Sequence, residues 1–360
     1  LLYTILIFLM LYYRVFHNTT GVPKRQLSAV QAVRGALWSS EDAMIMSLSQ
    51  TSMVWSAAQV SSLTGLSIDQ VVARVAFLVS LDVPIMMTRG VIRFSKKIDT
   101  LVPSRLRDAM AILDEQLQIY WQIDSTNNAG LRLSSSSPVE FLLAESQTAG
   151  RGRRTKQWQT LFGDAVLMSY RHVASRSTDF SSFSLLLTLT IVECIHEQFP
   201  QLSCAIKWPN DIYLCGQKWM GVLVDVVLGV EQTTLVAGVG CNLHVEQGSL
   251  EDHAIGLSAL ITRYDKHMLA VHLMRACRLA KEYCVGHSLD SFRSRYDQCH
   301  LLHRQWITFD DKHTSRRGWV EGLSPSGKLM VRCDNQPSIA LDDADVANVR
   351  LASVDLTTVT

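Results

Sequence analysis

Apolar positions recur at helical spacing in a few blocks of this chain and at strand spacing in many more. Ala57 to Leu63 reads as a short helix. Thr64-Gly65-Leu66-Ser67 is a turn, with Ser67 as the N-cap of a second helix over Ile68 to Leu81. On that helix Val71, Val75, Leu78 and Val79 fall on one face at spacings of three and four. Pro84 to Met87 and Val91 to Phe94 then read as a hairpin across Thr88-Arg89-Gly90. Two helices joined by a glycine turn and followed by a hairpin form the winged helix-turn-helix pattern, expected over 44–100. The second helix carries one acid, Asp69, and one base, Arg74. A DNA reader offers several Arg, Lys, Asn or Gln side chains, so a packing module is the competing reading. Arg89, Arg93, Lys96 and Lys97 are the residues placed to touch phosphates.

Residues 101–120 read as a linker helix. From there to 303 strands and helices mix. Val139 to Ala144, Ala165 to Tyr170, Cys204 to Trp208, Ile212 to Leu214, Met220 to Val227 and Thr234 to Val239 are strands. Phe183 to Phe199 is a long apolar helix stopped by Pro200, and Lys266 to Cys284 is another. Consecutive hairpin-like strands predict an α+β fold, not a doubly wound parallel sheet. Over 304–360 the pattern changes to short strands: Trp306 to Phe309, Arg317 to Leu323, Lys328 to Cys333, Ser338 to Ala340 and Val346 to Leu351. Ser324-Pro325-Ser326-Gly327 is a turn among them, and a small barrel is expected.

The first residues stand apart. Leu1 to Phe16 is apolar except for Thr4 and Arg14, shorter than the ~17–25 residues that span a bilayer, and has no basic residues ahead of it. A misplaced start is expected, with translation from a later methionine such as Met44. Residues 1–43 are therefore set aside as a doubtful leader, and a short membrane anchor is the other reading.

Composition narrows the classes. The chain has 360 residues, a formal net charge of +1 and 48% hydrophobic residues, which predicts a sizeable core and more than one domain. Near-neutral charge argues against a strongly basic nucleic-acid binder. The 8 cysteines form no CxxC pair and there is no HExxH, so buried thiols in a reducing, cytoplasmic compartment are expected rather than zinc or disulfides.

Four segments could carry chemistry. Gly150-Arg151-Gly152-Arg153-Arg154 concentrates positive charge on a turn whose glycines permit close approach of a ligand. Paired guanidinium bonds suit carboxylate and phosphate, although a solvated loop or nucleic-acid tether has the same composition. Ile206-Lys207-Trp208-Pro209-Asn210-Asp211 places an ammonium at the end of an apolar strand, where it can neutralise charge on an α-phosphate; a purely structural turn is the alternative. Asp124-Ser125-Thr126-Asn127 offers hydroxyls and amides to a neutral, urea-like ring, or is merely a helix cap. Gly238-Val239-Gly240-Cys241-Asn242 lets backbone approach a ligand but lacks the full dinucleotide fingerprint.

Taken together and in order, these segments resemble the biotin–protein ligase family, in particular its larger members that double as biotin operon repressors. The matching stretches are IDSTN at 123–127, QTAGRGRR at 147–154, KWPNDIYL at 207–214, K-W-M-G-VLV at 218–224 and GVGCNL at 238–243. The resemblance implies an N-terminal winged helix, a class II synthetase-like α+β ligase domain (121–303) and a C-terminal SH3-like barrel (304–360). It implies that Ser125, Thr126, Asn127 and Gln147 line a biotin pocket. Arg151, Gly152 and Arg153 would form the biotin-binding loop, with Arg153 and Lys207 as the catalytic cations. The adenylate would be held by Arg151, Arg153, Arg154, Lys207, Asn210 and Asn242. The stretch 246–258 lacks the tryptophan that covers the adenine in some members.

The activity implied is ATP-dependent formation of biotinyl-5'-AMP, with Mg²⁺ carried by ATP and no metal held by the protein alone. Biotin would then pass to a lysine of the biotin carboxyl carrier protein of acetyl-CoA carboxylase. Operator DNA and a second copy of the chain are further partners the resemblance suggests; a membrane is not. Two other readings stay open: a biotin-sensing DNA-binding repressor without ligase activity, and a lipoate–protein ligase.

Overall fold

The computed structural model describes residues 35–352 except 155, 246–253, 312–313, 334–335 and 343–345. The apolar run at 1–16 therefore lies outside the described residues. The described residues begin inside the segment set aside as a leader. Strand β1 (Gly35–Leu37) pairs antiparallel with β5 (Leu117–Ile123), and the Trp38 amide donates to the Ile119 carbonyl at 3.0 Å. Helix α1 (Ser40–Ser47) follows, capped by Ser39, so the boundary expected at residue 43 falls within a helix. The physical reason is burial. The Trp38 and Trp121 rings lie 5.9 Å apart, and Asp42, 1% exposed, accepts the Trp121 indole N–H at 3.3 Å.

The N-terminal unit is built around two more helices. α2 (Ala57–Thr64) and α3 (Ile68–Ser80) each open with a capping box, Ser56 with Gln59 and Ser67 with Gln70. Gly65, at φ 73°, ends α2 in the left-handed region that a side chain would strain, and the two axes meet at 103°. Val71, Val75 and Leu78 are buried as the spacing predicts, but Val79 is 45% exposed and lies off that face. A small sheet of β2 (Val54–Ser56), β4 (Val91–Phe94) and β3 (Ile85–Thr88), in that order, completes the unit. Among the described residues no single helix is long and apolar enough to cross a membrane; α2 and α3 pass such a test only together, as a bent pair.

The linker expected as one helix over 101–120 is mostly something else. Helix α4 (Pro103–Met110) stops where Ala111 turns to φ 51°, and β5 occupies the end of the segment. Leu117, Ile119, Tyr120, Trp121 and Ile123 of β5 are all buried. A strand covered on both faces shows no clean polar alternation, which is why it passes for helix in the sequence.

Eight strands form the main sheet in the order β1-β5-β6-β7-β11-β10-β9-β8. They include β6 (Phe141–Gln147), β7 (Ala165–Ser175), β8 (Cys204–Lys207), β9 (Asp211–Leu214), β10 (Gln217–Leu228) and β11 (Gln232–Asn242). Among the described strands of this sheet only the pair β5 and β6 is parallel, so the sheet is mixed and the fold is α+β. Side chains alternate between its faces. Met168, Tyr170, Ala237 and Val239 point into the core shared with helices α6 (Phe183–Gln198) and α7 (Lys266–Gly286). On the other face Ser169 meets α5 (Thr126–Arg132), and Gly238 and Gly240 line an open cavity.

A fully buried ion pair ties the parts together. Lys266 Nζ lies 2.6 Å from Glu145 on β6, with exposures of 1% and 0%, and also donates to the carbonyls of Asp99 and Gly163. The second Glu145 oxygen accepts the Leu101 amide at 2.6 Å. Helix α8 (Arg293–Cys299) leads to a C-terminal five-stranded antiparallel sheet of β12 (Trp306–Asp311), β13 (Thr314–Leu323), β14 (Leu329–Arg332), β15 (Ile339–Leu341) and β16 (Val346–Leu351), in the order β15-β14-β13-β12-β16. The turn expected at 324–327 joins β13 to β14, and the core of this sheet is continuous with that of the main one.

Candidate functional site

Register builds the floor of the cavity. Across β10, β11 and β7, Leu223 pairs with Gly238 and Gly238 with Ser169; one row along, Gly221 pairs with Gly240 and Gly240 with Leu167. The glycines are there because other side chains occupy the space a Cβ would take. A Cβ on Gly240 would stand 2.5 Å from the Trp158 ring, and one on Gly221 2.9 Å from it. A Cβ on Gly238 would stand 2.2 Å from Asn127 Oδ1. Contacts that short are not tolerated, so this row admits only glycine without a shift of its neighbours.

One end of the cavity is neutral and polar. Ser125 caps α5, which brings Thr126 and Asn127 to the sheet. Gln147 Oε1 accepts from the Thr126 amide at 2.7 Å and from its hydroxyl at 3.2 Å. Ser169 Oγ lies 2.8 Å from Thr126 Oγ1 and 2.6 Å from Asn127 Oδ1. Asn127 Nδ2 donates to Asp225 at 2.9 Å and to the Leu223 carbonyl at 3.1 Å. Every one of these side chains is held by another, so the hydrogen-bonding groups are fixed in place before any ligand arrives.

The other end is cationic. The loop from Gly150 doubles back on itself: the Gly152 amide donates to Lys156 O at 2.8 Å and the Trp158 amide to Gly150 O at 3.0 Å. Arg151 reaches back from this loop to the first end, where it makes a two-armed bond, at 2.9 and 3.1 Å, to Asp225, the carboxylate that also holds Asn127. Arg153 donates to Asn210 Oδ1 at 3.3 Å, and Arg154 to the Val346 carbonyl. Asn210 is itself fixed, its backbone carbonyl accepting the Val222 amide at 2.9 Å. Lys207 Nζ donates to Tyr213 OH at 3.1 Å. Burial pushes the Lys207 ammonium below the ordinary lysine range; nearby Asp211 opposes that shift, and Lys218 and Arg350 reinforce it. Lys218 lies 3.2 Å from Asp211 and 5.4 Å from the centre of the Trp158 ring.

The cavity has a volume of about 830 Å³. Ser125, Thr126, Asn127, Gln147, Arg151, Gly152, Arg153, Arg154, Lys207 and Asn210 all line it. Asn242 does not: it ends β11 beside Ala165, 5% exposed, with its carbonyl accepting the Trp219 indole N–H. Of the stretch 246–258, residues 246–253 lie outside the described residues.

The structure adds residues that sequence reasoning passed over. Asp225 holds both Arg151 and Asn127; its signal was a single acid within an apolar strand. Ser169 was likewise a lone hydroxyl in an apolar run. Trp158 fills the space above Gly221 and Gly240, and its buried indole N–H has no hydrogen-bond partner among the described residues. Arg350 comes from the C-terminal sheet, and nothing local in the sequence ties it to Lys207.

Residues 119–242 match the profile described as the Biotin/lipoate A/B protein ligase family. The chain is 28% identical over 244 residues to the bifunctional ligase/repressor BirA of Escherichia coli, covering 64% of this chain and 75% of that protein. It is 30% identical over 171 residues to the biotin–[acetyl-CoA-carboxylase] ligase of Mycobacterium tuberculosis, covering 44% of this chain and 62% of that protein. The fold matches that of a biotin protein ligase from Aquifex aeolicus, solved in complex with biotin and ATP, with a TM-score of 0.56 at 20% identity over 66% of this chain and 100% of that chain.

Proposed function

We propose that this chain is a biotin–protein ligase, a reading supported by the match of residues 119–242 to the biotin/lipoate A/B protein ligase profile and by the likeness to a bifunctional ligase/repressor. It would join biotin to ATP as biotinyl-5'-AMP and pass the biotinyl group to a lysine of a biotin carboxyl carrier protein. In this reading the N-terminal unit is a winged helix-turn-helix, the main sheet a class II synthetase-like ligase core, and the C-terminal sheet an SH3-like barrel.

The observation that carries the proposal is the polarity of the cavity. Fixed neutral donors and acceptors stand at one end (Thr126, Asn127 and Gln147, with Ser169 bonded to the first two) and cations at the other (Arg153, Lys207). A ligand with a neutral ureido ring at one end and a carboxylate at the other is complementary to that arrangement.

The chemistry follows from charge. A carboxylate and a triphosphate repel each other, so attack of a carboxylate oxygen on the α-phosphorus needs positive neighbours. Arg153 and Lys207 supply them, and pyrophosphate leaves. Mg²⁺ would enter as the counter-ion of ATP, where it would draw charge from the departing phosphates. The acceptor amine then attacks the carbonyl of the mixed anhydride, an amide forms, and AMP leaves. Trp158 covers the glycines of the floor, where it would limit access of water to the anhydride.

Operator DNA is not part of this reading. The single cation of α3, Arg74, is engaged by Glu41 at 3.9 Å and Asp42 at 3.5 Å.

The test is direct. Purified protein is incubated with biotin, ATP, Mg²⁺ and a carrier domain, and the carrier is weighed by mass spectrometry. One added biotinyl group is expected. Arg153→Ala is expected to slow transfer by about 10²-fold or more, the scale of losing one charge-stabilising donor. Binding of biotin without transfer would replace the proposal with a biotin sensor, and transfer of lipoate in its place would make the chain a lipoate ligase.

A further inference from the structure

Lys207 stands at the end of β8, the last strand of the main sheet. A strand end is a poor place to fix an ammonium, because only one side of the backbone is paired. Here the other side is covered by the segment after α8. Ile206 bridges His300 in parallel fashion, and the Leu301 amide donates to the Ile206 carbonyl at 2.7 Å. One step further, the Trp208 amide donates to His300 Nε2 at 3.3 Å.

That last bond has a particular leverage. The Trp208 N–H belongs to the peptide plane whose carbonyl carbon is that of Lys207. Peptide planes are rigid, so holding the N–H holds the ψ angle of Lys207, and with it the direction its side chain takes into the cavity. The far side of the turn is fixed as well, since the Trp208 indole N–H donates to the Gly327 carbonyl at 3.1 Å. Asn210, the partner of Arg153, follows two residues later.

His300 suits this task. It is 5% exposed and packed 5.5 Å from the Tyr296 ring. An amide N–H can be accepted only by an unprotonated ring nitrogen, which assigns the proton to Nδ1, a buried atom with no hydrogen-bond partner among the described residues. Burial, with His303 nearby as the lesser cause, holds the imidazolium pKa down to about 3, so the ring stays a neutral acceptor at any pH near neutrality.

We propose that His300 is a positioning residue for Lys207, fixing the lysine's peptide plane through the Trp208 amide and so coupling the site to the chain that leads into the C-terminal sheet. The effect on turnover rests on the ligase reading; the effect on Lys207 itself does not.

Two variants and two readouts test it. His300→Phe keeps the ring and removes the acceptor. His300→Gln offers an amide oxygen close to the position of Nε2. On the protein alone, Lys207 is followed by NMR after reductive methylation with [¹³C]formaldehyde. Its titration midpoint is expected below the ordinary lysine range in the native protein and in His300→Gln, and nearer that range in His300→Phe. In biotin-dependent ATP–pyrophosphate exchange, His300→Phe is expected to lower kcat by about 10- to 100-fold, the scale of a misplaced catalytic group, with the KM for biotin changed less than twofold. His300→Gln is expected to recover most of the loss. Should the phenylalanine variant not fold, His300→Asn, whose amide falls short of the Trp208 N–H, replaces it with the same expected losses. An unchanged Lys207 midpoint, or a fall in kcat that glutamine does not repair, overturns the proposal. Absence of exchange in the native protein defeats the ligase reading instead and leaves the Lys207 titration to decide this one.

Discussion

At the scale of single residues the site is shaped by missing atoms as much as by present ones. The sequence marks 238–242 as a place where backbone meets ligand; Gly238 and Gly240 line the cavity, and the space their side chains would take is held by the Asn127 amide and the Trp158 ring. Gly238→Ala should force Asn127 out of its bonds to Ser169 and Asp225. The expected result is a loss of biotin affinity of about tenfold or more by calorimetry, with about 1–3 kcal/mol of stability lost to overpacking. Lys207 yields a second prediction. Its folded pKa lies below the ordinary 10.5, so the charged form is lost earlier as pH rises. The alkaline limb of kcat/KM, which reports the free enzyme, should therefore fall below pH 10.5, and a limb at or above that value would count against Lys207 as the essential cation. Lys207 and Arg153 were legible because each sits in a short motif of unusual composition. Asp225 and Ser169 were not, because a strand residue's role depends on which neighbour register sets beside it, and register is invisible to one strand read alone.

Elements were legible where a local signal marks their ends. Ser67, Gln70 and Gly65 delimit the second and third helices within one residue of expectation, since caps and left-handed turns are chemistry confined to a few neighbours. β5 was misread because its burial on both faces is a property of the assembled molecule. α3 also has a consequence for nucleic acid. Its one cation is already engaged by Glu41 and Asp42, leaving Arg89, Arg93 and Lys97 as exposed positive charge around the small sheet. Removing Arg74 should leave duplex DNA affinity unchanged. Removing Arg89, Arg93 and Lys97 together should abolish any salt dependence, which at about 0.9 per phosphate contact amounts to a slope of no more than about 3. A steep slope that falls with Arg74→Ala would restore α3 as a DNA reader.

For the whole molecule, the buried pair Lys266–Glu145 joins helix α7, strand β6 and the two segments ending at Asp99 and Gly163. Lys266→Met should leave a carboxylate buried without its counter-charge. A loss of about 3–5 kcal/mol in urea unfolding is expected, partly recovered when Glu145 is also made apolar. A loss under about 1 kcal/mol would mean that water reaches Glu145. The three-part order along the chain was readable from changes in apolar spacing, but the interlocking of the parts was not, because contacts such as Trp121 with Asp42 join residues far apart in sequence.

Strand β1 carries that interlocking further. The chain enters the main sheet at Gly35–Leu37, leaves it to build the N-terminal unit, and returns to the same sheet at β5. The N-terminal unit is thus a loop-out of the sheet rather than a bead in front of it. A version of the protein begun after that unit would not be a clean catalytic fragment. It would carry β5 with its outer row of N–H and C=O groups uncovered, beside the apolar surface of Trp121, and an open strand edge of that kind invites other chains to pair with it. A strand of three residues thus covers an edge of β5 that would otherwise be open to pairing.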